Sequence, residues 1–245
     1  MEVLGIDIGG TGVKAAPVDI QKGVLTGERH RILTPQPATP DALIDTVAQI
    51  VTHFNWSGPI GCGFPAVIKD GAVHTASNVA PEWIGTNAGN LLEQAIGQKA
   101  TFLNDADAAG LAEMRFGAGK GHNGLVLIVT LGTGIGTSLF INQKLVPNTE
   151  LGHIELHGKD AEKWAAERVR IEKKLSWKIW ALRVNKYLKA MEALLWPDLI
   201  IIGGGASKKH DRFFPYLTVK VETVPAKLRN EAGIVGAALS APGVK

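Results

Sequence analysis

Two stretches of the chain share one pattern. Val3 to Lys14 reads VLGIDIGGTGVK and Leu125 to Ser138 reads LVLIVTLGTGIGTS. Each is an apolar strand, a glycine turn with hydroxyls, and a returning strand. One such unit opening each half of the chain reads as an internal duplication whose two loops close on one ligand from opposite sides. In the first copy Leu4, Ile6 and Ile8 make the strand, while Gly9 and Gly10 permit a tight turn with exposed N–H groups. Asp7 lies inside the apolar run. A buried carboxylate costs several kcal/mol unless compensated, so Asp7 is expected to face a metal ion or its water shell. With Thr11 and Lys14 the set suits a phosphate chain carried with Mg²⁺: amides and Lys14 for the oxygens, Asp7 for the hydrated metal. An ordinary glycine hairpin with a surface lysine leaves the same string. The second copy supplies hydroxyls at Thr130, Thr133 and Thr137.

The 245 residues allow one large domain or two small ones, and 45% hydrophobic content suffices for proper cores. No apolar run approaches the ~20 residues that span a bilayer. The first strand follows Met1 at once, leaving no room for a signal peptide, so a cytoplasmic protein with no membrane contact is expected. The single cysteine, Cys62, excludes an internal disulfide or a zinc site of several thiolates, and between Gly61 and Gly63 it reads as a small buried residue. The net charge is only +3, yet Glu162 to Lys189 holds nine basic against three acidic residues, and Ser207 to Arg229 six against two. The rest is therefore mildly acidic. Such a basic C-terminal half suits a polyanion, although any single lysine there also fits a solvated helix face.

Along the chain, Ala15–Ile20 and Gly23–Leu33 read as further strands of an antiparallel meander, and Asp41 as the cap of a helix running to about Phe54. Gly58–Pro65 returns as a strand. Val73–Trp83 reads as a ligand-facing loop with Asn78 and Trp83 as candidates. A short helix at Asn90–Ile96 and a strand at Ala100–Leu103 lead to Asn104-Asp105, where a domain boundary is placed: residues 1–104 with a C-terminal helix at about 231–245, against residues 105–230. A helix Ala106–Phe116, the second glycine unit with a strand at Leu139–Ile141, and helices Ala161–Lys174 and Trp177–Trp196 follow. Trp177, Trp180, Ala181, Val184, Leu188, Met191 and Leu195 form one core face of the last. Leu199–Ile202 reads as a strand buried on both faces, with Gly203-Gly204-Gly205 turning closely past a ligand at its end. Leu217–Val221 is one more apolar segment, and a helix Glu231–Ala241 closes the chain.

Asp105 sits where a strand gives way to a helix, midway between the glycine loops. A kinase needs a carboxylate there to take the acceptor hydroxyl's proton, although Asn-Asp at such a junction also caps helices. Glu150 and His153, three apart on a turn, with Glu162 further on, suit a polyhydroxylated ligand; a surface Glu and a core His give the same letters.

The set GIDIGGTGVK, LNDADAAGLAE, LGTGIGTSLF, TELGHIEL and DLIIIGGGAS, in this order, resembles the ROK family of sugar kinases. The resemblance covers essentially the whole chain. It implies two α/β domains around a central cleft, the actin-like ATPase (ribonuclease H-like) fold, with the last helix returning to the first domain. It implies Asp105 as general base on a sugar 6-hydroxyl and Asn104, Glu150, His153 and Glu162 as sugar ligands, beside which Gly63 and Asn78 are set. Gly9, Gly10 and Thr11, and Gly132 to Gly134 with Thr130 and Thr133, become phosphate loops, with Gly204 nearby. Typical members follow the histidine with a cysteine-rich zinc motif. This chain lacks those cysteines, so His153 must orient its second nitrogen without zinc. The zinc-less version resembles a branch that uses inorganic polyphosphate, with or without ATP, to phosphorylate glucose; the basic C-terminal half fits that donor, with Lys208, Lys209 and Arg229 as its track. Mg²⁺ but no zinc, a homodimer and no nucleic-acid partner are the remaining expectations. Some family members are sugar-responsive repressors with an N-terminal helix-turn-helix, which a strand starting beside Met1 argues against; a strictly ATP-dependent glucokinase or mannokinase would use the same loops.

Overall fold

The computed structural model describes residues 1–244. The chain forms two compact units, one of residues 1–112 with the C-terminal segment from residue 231, the other of residues 113–230. The first unit thus extends through Ala112 rather than ending at Asn104, and Asp105 lies well inside it.

In the first unit β1 (Glu2–Gly9) and β2 (Gly12–Asp19) form an antiparallel hairpin, and β2 carries β3 (Val24–Leu25) and β4 (His30–Ile32) as short neighbours. Next come α1 (Pro40–His53), β5 (Ile60–Phe64), a small ladder of β6 (Ile68–Lys69) with β7 (Ala72–Val73), α2 (Ala88–Ile96), β8 (Ala100–Asn104) and α3 (Asp105–Phe116). The sheet runs β3-β2-β1-β5-β8, with β1, β5 and β8 parallel. Alternation fails along β5, whose five residues are all buried, because its strand is covered on both faces. The N-cap of α1 is Thr39, whose hydroxyl accepts from the Ala42 N–H, not Asp41, which lies in the first turn.

In the second unit β9 (Leu125–Leu131), β10 (Ile135–Ile141) and β11 (Lys144–Val146) form an antiparallel meander. A small hairpin of β12 (Glu155–Leu156) and β13 (Lys159–Asp160) precedes α4 (Glu162–Ala165), α5 (Glu167–Glu172) and α6 (Trp177–Leu195). Then β14 (Leu199–Gly203) pairs in parallel with β9 and with β15 (Glu222–Pro225). The order β11-β10-β9-β14-β15 repeats the order of the first sheet, a hairpin followed by two parallel strands. The repeated glycine units are thus the first hairpins of two sheets of equivalent topology.

The expected helix Ala161–Lys174 is broken. Ala166 is extended, at ψ 154°, and the carbonyls of Ala165 and Ala166 accept from the Trp180 indole N–H at 2.9 and 3.2 Å. The same break lets the Arg168 N–H reach Gly132 O at 3.0 Å, on the second glycine loop. The buried face of α6 holds the expected Trp180, Ala181, Val184, Leu188 and Met191, and also Asn185. Asn185 is polar but satisfied: its carbonyl accepts from the Thr218 N–H at 2.7 Å and its amide donates to the Thr218 hydroxyl. The sheet edge after Leu217–Val221 is not that segment but β15.

Finally α7 (Ala232–Leu239) returns to the first unit. Its backbone meets Gly5 of β1 and Gly61 of β5 at Ile234 and Ala237, while its Gly236 lies on Ala108 of α3; a Cβ at any of the three glycines would overlap backbone atoms.

Candidate functional site

In parallel sheets ligand groups gather beyond the carboxyl ends of the strands, where the backbone turns away and side chains of several strands converge. In the first unit that edge carries Asp7, paired in register with Gly63, then Gly9 at the end of β1 and Gly10 beyond it, and Asn104 at the end of β8 followed by Asp105. Gly63 lies beside the start of α3: a Cβ there would make ordinary contacts, 3.6 Å from the Asp105 Cα and 3.4 Å from the Ala108 Cβ. Asp105 is the first residue of α3, half-buried, and its backbone is fixed by Asn104. The Asn104 side-chain oxygen accepts from the Ala106 and Asp107 N–H groups at 2.8 and 3.1 Å, and its amide donates to Ala66 O at 3.2 Å. Asn104 is thus the helix cap, and it holds Asp105 in place.

Lys14 meets Asp7 at 3.1 Å, both partly buried, so the compensation of the Asp7 carboxylate is a lysine ion pair within the hairpin. The loop between them is fastened from outside by two residues absent from the sequence reading. The Thr34 hydroxyl donates to Gly9 O, and the Arg31 guanidinium to Thr11 O at 3.1 Å. Neither was identifiable beforehand, since β4 carries Arg31, and the segment after it Thr34, to the loop from 20 and 25 residues away. Asp7 suits a hydrated Mg²⁺ shared with phosphate oxygens, a hard cation that takes one or two carboxylates and keeps its waters. Gly233 leaves room for that carboxylate, as a Cβ there would lie 2.8 Å from the Asp7 Cγ. Among the described residues no three or more His, Cys, Asp or Glu side chains cluster as a metal cage. Asn78 lies on an exposed loop. Trp83 is not ligand-facing: it is fully buried, with its indole N–H on Ala38 O at 3.0 Å and its ring against Phe64. The polar residues around it disguised a core position.

In the second unit the corresponding edge carries Thr130 near the end of β9, Gly132, Thr133 and Gly134 beyond it, and Gly204 beyond β14, with Gly203 registered against Thr130. Gly204 has φ +77° and packs on the Leu131 backbone, which no side chain would allow. The Glu162 carboxylate lies over Gly134. Glu150 and His153 are brought together, with Oε2 3.7 Å from Nε2. Burial raises the Glu150 carboxyl above its ordinary value, His153 opposes this, and the charge of Glu162 adds to it. The three expected sugar ligands of this unit therefore share one electrostatic neighbourhood. Thr137, expected as a loop hydroxyl, is buried instead. Its hydroxyl donates to Thr149 O and accepts from the Leu151 N–H at 3.1 Å, bracketing Glu150. Asp160, absent from the sequence reading, stands 3.6 Å from the His153 Nδ1 and 3.2 Å from the Lys163 ammonium. Lys208, Lys209 and Arg229 are exposed.

Known proteins resemble the chain along most of its length. Residues 3–168 match the model of the ROK family. The polyphosphate glucokinase of Mycobacterium tuberculosis is 50% identical over 96% of this chain and 89% of its own length. That of Mycobacterium leprae is 50% identical over 96% of this chain and 73% of its own. The crystal structure of the inorganic polyphosphate/ATP-glucomannokinase from Arthrobacter sp. strain KM superposes with a TM-score of 0.94 at 47% identity, covering 97% of each chain. With the strand–glycine hairpins, the capped Asp105 and the Glu150–His153 pair in the order the motifs required, the chain belongs to the ROK family and has its actin-like ATPase fold.

Proposed function

We propose that the protein transfers the terminal phosphoryl group of inorganic polyphosphate to the 6-hydroxyl of glucose, giving glucose 6-phosphate. The observation that carries this reading is the 50% identity to the M. tuberculosis polyphosphate glucokinase across 96% of the chain. Asp105 takes the proton of the 6-hydroxyl as the new O–P bond forms. The bridging P–O bond to the rest of the polymer breaks, and the shortened polyphosphate leaves with the oxygen. Asn104 holds Asp105 in register through the α3 cap. Gly63, Asn78, Glu150, His153 and Glu162 orient the sugar hydroxyls. Gly9, Gly10, Thr11 and Lys14, with Thr130, Gly132, Thr133, Gly134 and Gly204, receive the reacting end of the donor. Asp7 would hold a hydrated Mg²⁺, which would supply charge neutralisation for the phosphate oxygens. Lys208, Lys209 and Arg229 attract the distal polymer.

ATP as a second donor is favoured by the Arthrobacter relative, which is named for both polyphosphate and ATP. Initial rates on glucose with Mg²⁺ test the reading, with nucleotide-free polyphosphate and ATP in separate reactions. Faster turnover with polyphosphate is expected. Turnover with ATP alone would overturn the donor assignment and leave the sugar site standing; no phosphorylated glucose with either would overturn the whole.

A further inference from the structure

His153 is flanked on both ring nitrogens. Glu150 stands 3.7 Å from Nε2 and Asp160 3.6 Å from Nδ1. A neutral imidazole carries one N–H and one lone pair, so two carboxylates compete for a single proton, and the winner decides what the other nitrogen offers a ligand.

The placement of Asp160 is built. Asp160 ends the β12–β13 hairpin, directly across from Glu155, and its two-residue turn has both His157 and Gly158 at positive φ, 55° and 72°. The ladder continues through the Ala161 N–H, which donates to Ile154 O at 2.9 Å. These bonds return the chain so that Asp160, seven residues after His153, lies beside its ring. Lys163, one turn further, holds the Asp160 carboxylate at 3.2 Å.

Resting on the reading of His153 as a sugar ligand, we propose that Asp160 is a positioning residue: it holds the Nδ1–H form of His153, so that Nε2, the nitrogen facing Glu150, presents a lone pair to a glucose hydroxyl. The hairpin return and the Lys163 ion pair hold Asp160 at Nδ1. Lys163, chiefly through its hydrogen bond, lowers the Asp160 carboxyl below the ordinary range, while burial raises that of Glu150. Asp160 is thereby kept ionised and fixed beside Nδ1, where it accepts the ring N–H. In a ligand-free site such contacts are often long and tighten on binding. Glu150 and the Nε2 lone pair, both acceptors, are then matched to donating hydroxyls.

The test combines a spectroscopic and a kinetic readout. Protein labelled with ¹⁵N-histidine, the resonance assigned with His153→Gln, is recorded at about pH 8, where a typical imidazole is neutral. His153 is expected as the Nδ1–H tautomer in the wild type and as a mixture in Asp160→Ala. Asp160→Ala should raise the glucose KM roughly two- to fivefold, the range of a half-exposed charged pair, without changing kcat or the polyphosphate KM. Asp160→Asn, whose amide oxygen still accepts an N–H, should restore most of both. A wild-type Nε2–H tautomer, or a tautomer identical in wild type and Asp160→Ala, overturns the proposal. So does the expected tautomer change with an unaltered glucose KM. Because the spectrum needs no turnover, a wild type that fails to phosphorylate glucose would refute the proposed function while the tautomer still decides the role of Asp160.

Discussion

Replacing Thr137 by valine removes one hydroxyl and almost no volume. In the structure that hydroxyl donates to Thr149 O and accepts from the Leu151 N–H, at a side chain only 2% exposed. The variant leaves one carbonyl and one N–H unpaired, at about 1–3 kcal/mol for each buried orphan. The reverse bond, from the Thr149 hydroxyl to Thr137 O at 3.2 Å, survives and keeps the segment tethered. A loss of about 2–6 kcal/mol is therefore expected, which for a chain of this size lowers Tm by roughly 4–24 °C. The functional consequence is more specific. Glu150 lies between the two groups that lose their partner, so loosening falls on the Glu150–His153 pair and not on the donor loops. Thermal unfolding followed by circular dichroism, with steady-state kinetics well below the transition, separates the effects: a glucose KM raised severalfold with an unchanged polyphosphate KM. A Tm within 2 °C of the wild type, or equal changes in both KM values, would refute the reasoning that Thr137 anchors the sugar side of the second unit.

Asp105→Asn should abolish nearly all turnover while glucose still binds, read by calorimetry beside a coupled assay; near-wild-type turnover would remove the general-base role. Charge reversal at Lys208 and Lys209 should raise the polyphosphate KM and leave that for glucose unchanged. Glu113 is buried and accepts from the Ala118, Lys227 and Leu228 N–H groups at 2.8, 3.1 and 2.7 Å, so Glu113→Gln, which sets an NH₂ against a backbone donor, should cost about 2–4 kcal/mol in chemical denaturation. Because Glu150 has a raised folded-state carboxyl, its contribution is greatest below the unfolded value and is lost as pH rises through the folded one. Glu150→Gln should therefore gain thermal stability relative to wild type as pH is raised from about 4 to 7, while glucose affinity falls; a Tm difference independent of pH would contradict this.

The elements most legible in the sequence were those dictated by local pattern. The two strand–glycine hairpins, α1, α6, the strand at Leu199 and the closing helix all follow from apolar spacing and glycine punctuation, which act over a few residues. Their repetition pointed to an internal duplication, and the two sheets have equivalent order. Less legible were places where a distant group satisfies a local polar one. The break at Ala166 serves the Trp180 indole, and the short edge strand β11 depends on a turn with Asn142 and Gln143 at positive φ. Trp83 sits among polar neighbours yet fills the core.

By itself the sequence determined the strand–turn vocabulary, the order of the motifs and hence the family, because these depend on side-chain spacing along one chain. Only the tertiary structure decided the partners. It set Lys14 against Asp7, Arg31 and Thr34 on the first glycine loop, Thr137 under Glu150 and Asp160 beside His153. Hydrogen bonds and ion pairs act over about 3–4 Å in space, and which residues come that close is settled by sheet register and hairpin return, not by their separation in the chain.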